Sequence, residues 1–246
     1  MAGNGWVESE GEDGWLFSPA SGVRKTVLGF SGRGAAPAGT AAPTEFLARR
    51  LSRALGSGRI PIVRATQVHG RGSAIVRDAP AEGTARDAGE CDVLATGVPG
   101  VALVIQTADC VPILLRAPRA VAAAHAGWRG SALGAATAAV DALAELGADP
   151  SEVDAWIGPA IGSCCYQVGG DVAAQFAGEF ARRDCTGRFR LDLKAVNRAQ
   201  LEAAGVSPSR IAVHPACTNC GGARYASYRR DGAAAGRMIG LIAMTA

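Results

Sequence analysis

The chain has 246 residues, 48% of them hydrophobic and 5% aromatic, with 33 glycines and a formal charge of +3. It is long enough for one large core, and its dispersed arginines, not interleaved with aromatics, argue against nucleic acid as a partner. No apolar run approaches the ~18 residues of a membrane helix and the acidic start lacks a signal core, so a cytoplasmic protein without membrane contact is expected.

Residues 1–14 read as a flexible leader and 15–246 as a single domain. "TVLGFSGRGAAPAGTAAP" starts as a strand and becomes a loop. "PTEFLARRLSRALG" reads as a helix, with Pro43 in its first turn, Leu47, Leu51 and Leu55 on one face and Gly56 as its stop. "IPIVRATQVHG" and "GSAIVRDA" are strands, and "APAEGTARDAGECD" is a loop. Residues 92–127 are the most apolar stretch, short strands broken by "GVPG" and "APRA" turns. "SALGAATAAVDALAELGADP" carries Leu133, Ala136, Val140, Leu143 and Leu146 at helical spacing and stops at Gly147. "DAWIGPAIGSCCYQVG" is a strand and a Gly-rich loop. "DVAAQFAGEFARR" and "KAVNRAQLEAAGV" are helices, "SRIAVHPACTNC" is a strand running into CxxC, and the chain closes on a strand or helix. Hairpin-like strands with intervening helices predict an α+β domain with mixed sheets.

Seven cysteines in a reducing compartment point to free thiols, metal or catalysis rather than disulfides. Three polar residues end apolar strands: His69 in "QVHG", Cys110 in "TADC" and His125 in "HAGWRG". Strand ends are where a rigid scaffold presents side chains to ligands. Two His and one Cys suit zinc with an open fourth position, and equally a Cys–His nucleophile with a helper His. Their spacing matches no compact zinc finger, so only the fold can assemble them. The competing readings are a small buried Cys and hydrogen-bonded structural His. Trp128 reads as packing, Cys164 and Cys165 as small packing residues, and His214 has no assigned catalytic role. The CxxC at Cys217 and Cys220 lacks a second pair at ribbon spacing; Cys164 or Cys165 could complete it in space, but it is read as holding no structural metal.

The ordered set "QVHG", "TADCVPILL", "AAHAGWRG", "IGPAIGSCCYQVG", "LDLKAVNRAQLEAAGV" and "YASYRRDG" resembles the YfiH family, also called laccase-domain or multicopper polyphenol oxidase proteins and peptidoglycan editing factors. The resemblance covers about residues 15–240. It implies a single layered α/β/β/α-type domain with mixed sheets, related to the catalytic domain of cytotoxic necrotizing factor. It implies that His69, Cys110 and His125 bind metal and carry catalysis. Zinc is the usual ion, and copper is the ion of the older naming. It also implies phosphorolysis of adenosine, inosine, guanosine and methylthioadenosine, with adenosine deamination. The editing-factor name adds a peptidoglycan precursor as a possible partner. Many members carry a "NLG-HVGD" segment after "FSTR-GG"; here Phe30, Ser31 and Arg33 remain but the later segment is missing, which bears on substrate range.

Phosphorolysis needs donors for phosphate, and arginine offers a planar fork. Arg33 and Arg129, in Gly-bounded turns beside the motifs, are the candidates; Asp109 is a candidate to orient a histidine. Three histidines are too few for several copper centres. A Cys110–His125 hydrolase and a non-catalytic cell-wall protein that binds through the cleft complete the alternatives.

Overall fold

A computed structural model describes residues 6–11, 14–19, 26–33 and 60–245. The expected helix around Leu47, Leu51 and Leu55 and the "NLG-HVGD" position lie outside the described residues. Among the described residues, two large mixed sheets carry helices against one of them. The first sheet runs in the order β1 (Trp6–Gly11), β2 (Gly14–Pro19), β3 (Thr26–Ser31), β16 (Met238–Met244), β8 (Ala102–Thr107), β4 (Ile62–Thr66) and β6 (Ala85–Glu90). The second runs β15 (Ile211–Val213), β11 (Asp154–Ile157), β9 (Val111–Ala117), β10 (Ala120–Ala126), β7 (Val93–Thr96) and β5 (Ser73–Val76). A small third sheet joins β12 (Gln167–Val168), β14 (Phe189–Leu191) and β13 (Ala181–Arg183).

The alternation of side chains along β9 and β10 decides the layering. Ile113, Leu115, Ala122 and Ala124 face helices α2 (Ala135–Glu145) and α4 (Leu193–Ala203). Leu114, Val121 and Ala123 face the first sheet and meet Phe30, Leu103 and Ile105 between the sheets. The run of alanines on β10 lets α2 approach closely, since that helix itself buries Ala135, Ala136, Ala138, Ala139 and Ala142. The outer face of the first sheet is buried too, through Ile62, Ala102, Val104, Ile239 and Leu241.

Four expectations are corrected. Residues 6–11, assigned to the leader, form β1 and pair in register with β2, and Trp6 packs 5.9 Å from the Phe30 ring. The "TARDAGE" loop holds β6, whose mostly exposed side chains give no apolar pattern; parallel pairing with β4 makes it a strand. The helix expected from Ser131 to Leu146 is two, α1 (Trp128–Leu133) and α2, because Gly134 turns the chain at φ 89°. Leu133, expected on the apolar face, is left exposed as a result. Of "DVAAQFAGEFARR" only α3 (Gly170–Ala173) is helical, and Ala181–Arg183 instead pair with β14.

Candidate active site

His69, Cys110 and His125 converge: one ligand atom from each lies within 4.8 Å of the others. The register explains two of them. His125 stands opposite Pro112 and Ala126 opposite Val111, so the start of β9 and the end of β10 lie side by side. His125 shares the alternation of Val121 and Ala123 and therefore points into the space between the sheets, at its open end. Gly127 leaves room for the cluster, since a Cβ there would sit 3.0 Å from the Cys110 sulfur and 3.1 Å from the His69 ring and push on both.

His69 arrives from the end of β4 with φ 61°, a left-handed conformation rare for a side-chain-bearing residue. Asp92, fully buried ahead of β7, holds it there. Its Oδ1 accepts from the His69 N–H at 3.0 Å, and its Oδ2 from Val68 N–H at 3.2 Å and Gly70 N–H at 2.6 Å. The same Oδ1 lies 2.7 Å from His125 Nδ1. One carboxylate therefore fixes the loop carrying His69 and leaves Nε2 of His125 to face Cys110. The two imidazoles stand edge to face with centroids 4.8 Å apart.

Burial opposes charge here, and hydrogen bonding overrides it. Burial pushes the Cys110 thiol up, but His125 and His69 bring it down to about 7. Burial pushes His125 down, while its bonds to Asp92 and Cys110 raise it to about 9. Burial raises Asp92, and His125 with the Gly70 and His69 N–H groups more than reverse it, so its pKa lies below the usual value. A thiol between two imidazoles, one of them oriented by a carboxylate, is a donor set able to hold a metal ion with an outer support. Tetrahedral zinc, with Zn–S near 2.3 Å and Zn–N near 2.0 Å, asks for S···N separations of about 3.6 Å. One ligand atom from each of the three residues lies within 4.8 Å of the others, so the set is compatible with a metal ion of this size.

The three residues form one end of a cleft of about 580 Å³ whose walls include Gln67, Thr107, Tyr166, Tyr228, Arg229 and Arg237. Gln67 and Gln106 pair reciprocally, Nε2 to carbonyl and N–H to Oε1, both at 2.8 Å, and seal the β4–β8 edge of the cleft. Arg64 also reaches the cleft but is paired with Asp87 at 2.9 Å.

The structure separates the other sequence candidates. Arg33 does not line the cleft; it bonds Asp231 at 3.2 Å. Arg129 does not line it either and lies 4.4 Å over the Trp128 ring. Asp109 lines the cleft but orients no histidine, since its oxygens take the Thr218 hydroxyl and the Arg229 N–H, both at 2.6 Å. It anchors helix α5 (Tyr228–Asp231), at φ 81°, while the orienting role expected of it falls to Asp92. The sequence signal for Asp92 is a carboxylate directly heading the apolar run "VLAT", where burial demands several donors. His214 packs 5.0 Å from the Trp6 ring, away from the cleft. Cys164, Cys165, Cys217 and Cys220 come together as a second cluster, the spatial completion of the CxxC that the sequence left open.

A sequence profile of the family described as multi-copper polyphenol oxidoreductase laccase matches residues 43–245. The chain belongs to this family. The crystal structure of Bacillus licheniformis YfiH resembles it with a TM-score of 0.82 at 28% identity, over 97% of this chain and 99% of that one. A Deinococcus radiodurans protein named purine nucleoside phosphorylase is 42% identical over 201 residues, 79% of this chain and 75% of its own. Adenosine deaminase RL5, from an unknown prokaryotic organism, is 37% identical over 155 residues, 59% of each chain. The YfiH resemblance read from the motifs, and the mixed-sheet fold it implied, are correct. Among the described residues no helix is long and apolar enough to cross a membrane.

Proposed function

We propose that this protein is a zinc-dependent purine nucleoside phosphorylase that also deaminates adenosine. The observation carrying the reading is the convergence of His69, Cys110 and His125 at a nucleoside-sized cleft walled by arginines. Relatives named for both activities support it. The substrates are adenosine, inosine, guanosine and methylthioadenosine, with phosphate.

His69, Cys110 and His125 hold the metal. Zinc held by these three residues would supply a Lewis acid there. The remaining work falls to the chain. Phosphorolysis joins a phosphate oxygen to C1′ as the C1′–N9 bond breaks, and the electron pair leaves with the purine, which takes up a proton. Phosphate must be held against C1′ by cations that are not already neutralised. Arg237 has no carboxylate partner among the described residues and bonds only the Gly236 carbonyl at 2.7 Å. Arg229 spends one nitrogen on the Gln167 carbonyl at 3.0 Å and lies 5.1 Å from the Tyr166 ring. These two replace Arg33 and Arg129 as phosphate ligands. Tyr228, 60% exposed at the rim, offers a face to the purine.

A multi-copper oxidase, the family's printed description, has too few imidazoles: the chain has three His, and His214 is packed under Trp6. The test is to incubate protein of measured metal content with adenosine, with and without phosphate, and separate the products. Adenine and ribose 1-phosphate that form only with phosphate establish phosphorolysis, and inosine establishes deamination. Zinc-loaded protein that forms none of them refutes the proposal.

A further inference from the structure

The cluster of four cysteines stands apart from the cleft chemistry. Cys164 and Cys165 belong to the turn after β11, and Cys217 and Cys220 to the turn after β15. Their sulfurs all lie within 4.8 Å of one another. The Cys164 and Cys220 sulfurs are 3.8 Å apart. In a tetrahedral zinc–thiolate site with Zn–S near 2.3 Å, adjacent sulfurs are about 3.8 Å apart, the edge of the tetrahedron.

The backbone around the cluster is shaped for sulfur. The Gly162 N–H points at the Cys217 sulfur at 3.2 Å. A Cβ at Gly162 would come within 3.2 Å of the Cys164 sulfur and of the Cys217 side chain, so glycine lets this turn approach the thiols without pushing them. The two turns are joined besides by an Ala160–Cys217 bridge, with the Thr218 N–H bonding the Ala160 carbonyl at 3.1 Å.

Charge points the same way. Lys194 is 9% exposed and spends its ammonium on the carbonyls of His214 and Ala216, at 2.9 and 3.1 Å, with Pro215 at 3.4 Å. Among the described residues no carboxylate bonds it; Asp192 and the sulfurs of Cys217 and Cys164 lie near it. Arg190 bonds the Cys164 carbonyl at 2.9 Å. Zinc with four thiolates would carry a net charge of −2 beside Lys194, while Arg190 is also paired with Asp184 at 3.2 Å.

We propose that Cys164, Cys165, Cys217 and Cys220 form a second, structural zinc site that clips the turn after β11 to the turn after β15. The clip is closed, with no open coordination position, and does not depend on the nucleoside reading. Its consequence reaches the cleft through neighbours. Tyr166 follows Cys165, the Thr218 hydroxyl bonds Asp109, and Asp109 holds the N–H of Arg229. Zinc at the clip therefore steadies one wall of the cleft without touching substrate.

The experiment is zinc stoichiometry on folded protein, checked by circular dichroism. Two zinc per wild-type chain, one in Cys110→Ala and one in Cys217→Ser/Cys220→Ser are expected. Cobalt loaded into Cys110→Ala should give the intense visible bands and near-ultraviolet charge transfer of tetrahedral cobalt thiolate. If the double variant does not fold, Cys164→Ala, at an exposed position, should lose those bands in the Cys110→Ala background. Folded Cys110→Ala that takes up no zinc or cobalt overturns the proposal. So does a Cys164–Cys220 disulfide in freshly purified protein, or four thiols that react equally fast with a thiol reagent before and after zinc is added.

Discussion

Replacing Asp92 by Asn changes two atoms' worth of chemistry and almost no volume, yet it should damage both stability and metal binding. The carboxylate takes four donors, two on each oxygen: His69 N–H and His125 Nδ1 on Oδ1, Val68 and Gly70 N–H on Oδ2. An amide keeps one oxygen and turns an NH₂ toward the other pair. If the NH₂ faces Val68 and Gly70, two N–H groups lose their acceptor beside a left-handed His69. If it faces His125, Nδ1 must accept rather than donate, and the proton moves to the Nε2 that should bind metal. Two hydrogen bonds to a charged group at about 1.5–3 kcal/mol each put the stability cost near 3–6 kcal/mol. Removing one partner of a buried ion pair costs about 3–5 kcal/mol, which agrees. Loss of the outer support of a metal-binding His weakens metal by roughly 10–100-fold. Denaturant titration of chelator-treated protein and competitive zinc titration read the two effects. Asp109→Asn is the control: it removes the charge that receives the Thr218 hydroxyl and the Arg229 N–H but touches no imidazole, so it should lose some stability and keep its zinc affinity. Asp92→Asn with unchanged zinc affinity and a stability loss under about 1 kcal/mol, small beside a broken buried pair, would refute the reasoning.

Gly127→Ala should lose tight zinc binding and nucleoside turnover together while the far-ultraviolet spectrum is kept, because its Cβ would press on both the Cys110 sulfur and the His69 ring; metal content and activity check this. Arg237→Ala should raise the phosphate KM by about 10-fold or more, as for a lost charged hydrogen bond, and Arg33→Ala should leave it unchanged; phosphate titration at fixed adenosine separates them. Stability should fall as pH drops from 6.5 towards 4 through His214, which burial, with Lys194 and Arg224 nearby, lowers to about 4. Its Nδ1 already accepts the Ala216 N–H at 3.2 Å, which favours the neutral ring. A folded pKa below the unfolded one means the ring must charge on unfolding, so its contribution is whole above 6.5 and worth about 3 kcal/mol at most. Thermal unfolding at several pH values in wild type and His214→Gln, whose slope should be flatter, tests it.

The sequence by itself determined the strands that matter. The apolar runs of 92–127 predicted β7 to β10 with their turns, and the polar residues at strand ends named His69, Cys110 and His125 as residues to watch. Such patterns are local: alternation and turn chemistry write them into neighbouring residues. Tertiary structure decided what those residues meet. Asp92 gathers donors from Val68–Gly70 and from His125, distant in sequence, and nothing local marks it as their acceptor. β6 carries no apolar alternation and is a strand only because β4 lies beside it. Arg229 and Arg237 reach the cleft while Arg33 is taken by Asp231, a choice made by long-range packing of side chains that look alike in sequence. The four cysteines show the limit most sharply. Each pair was visible, but the turns after β11 and β15 become neighbours only when their parallel strands pair, and spacing along a chain does not record that distance.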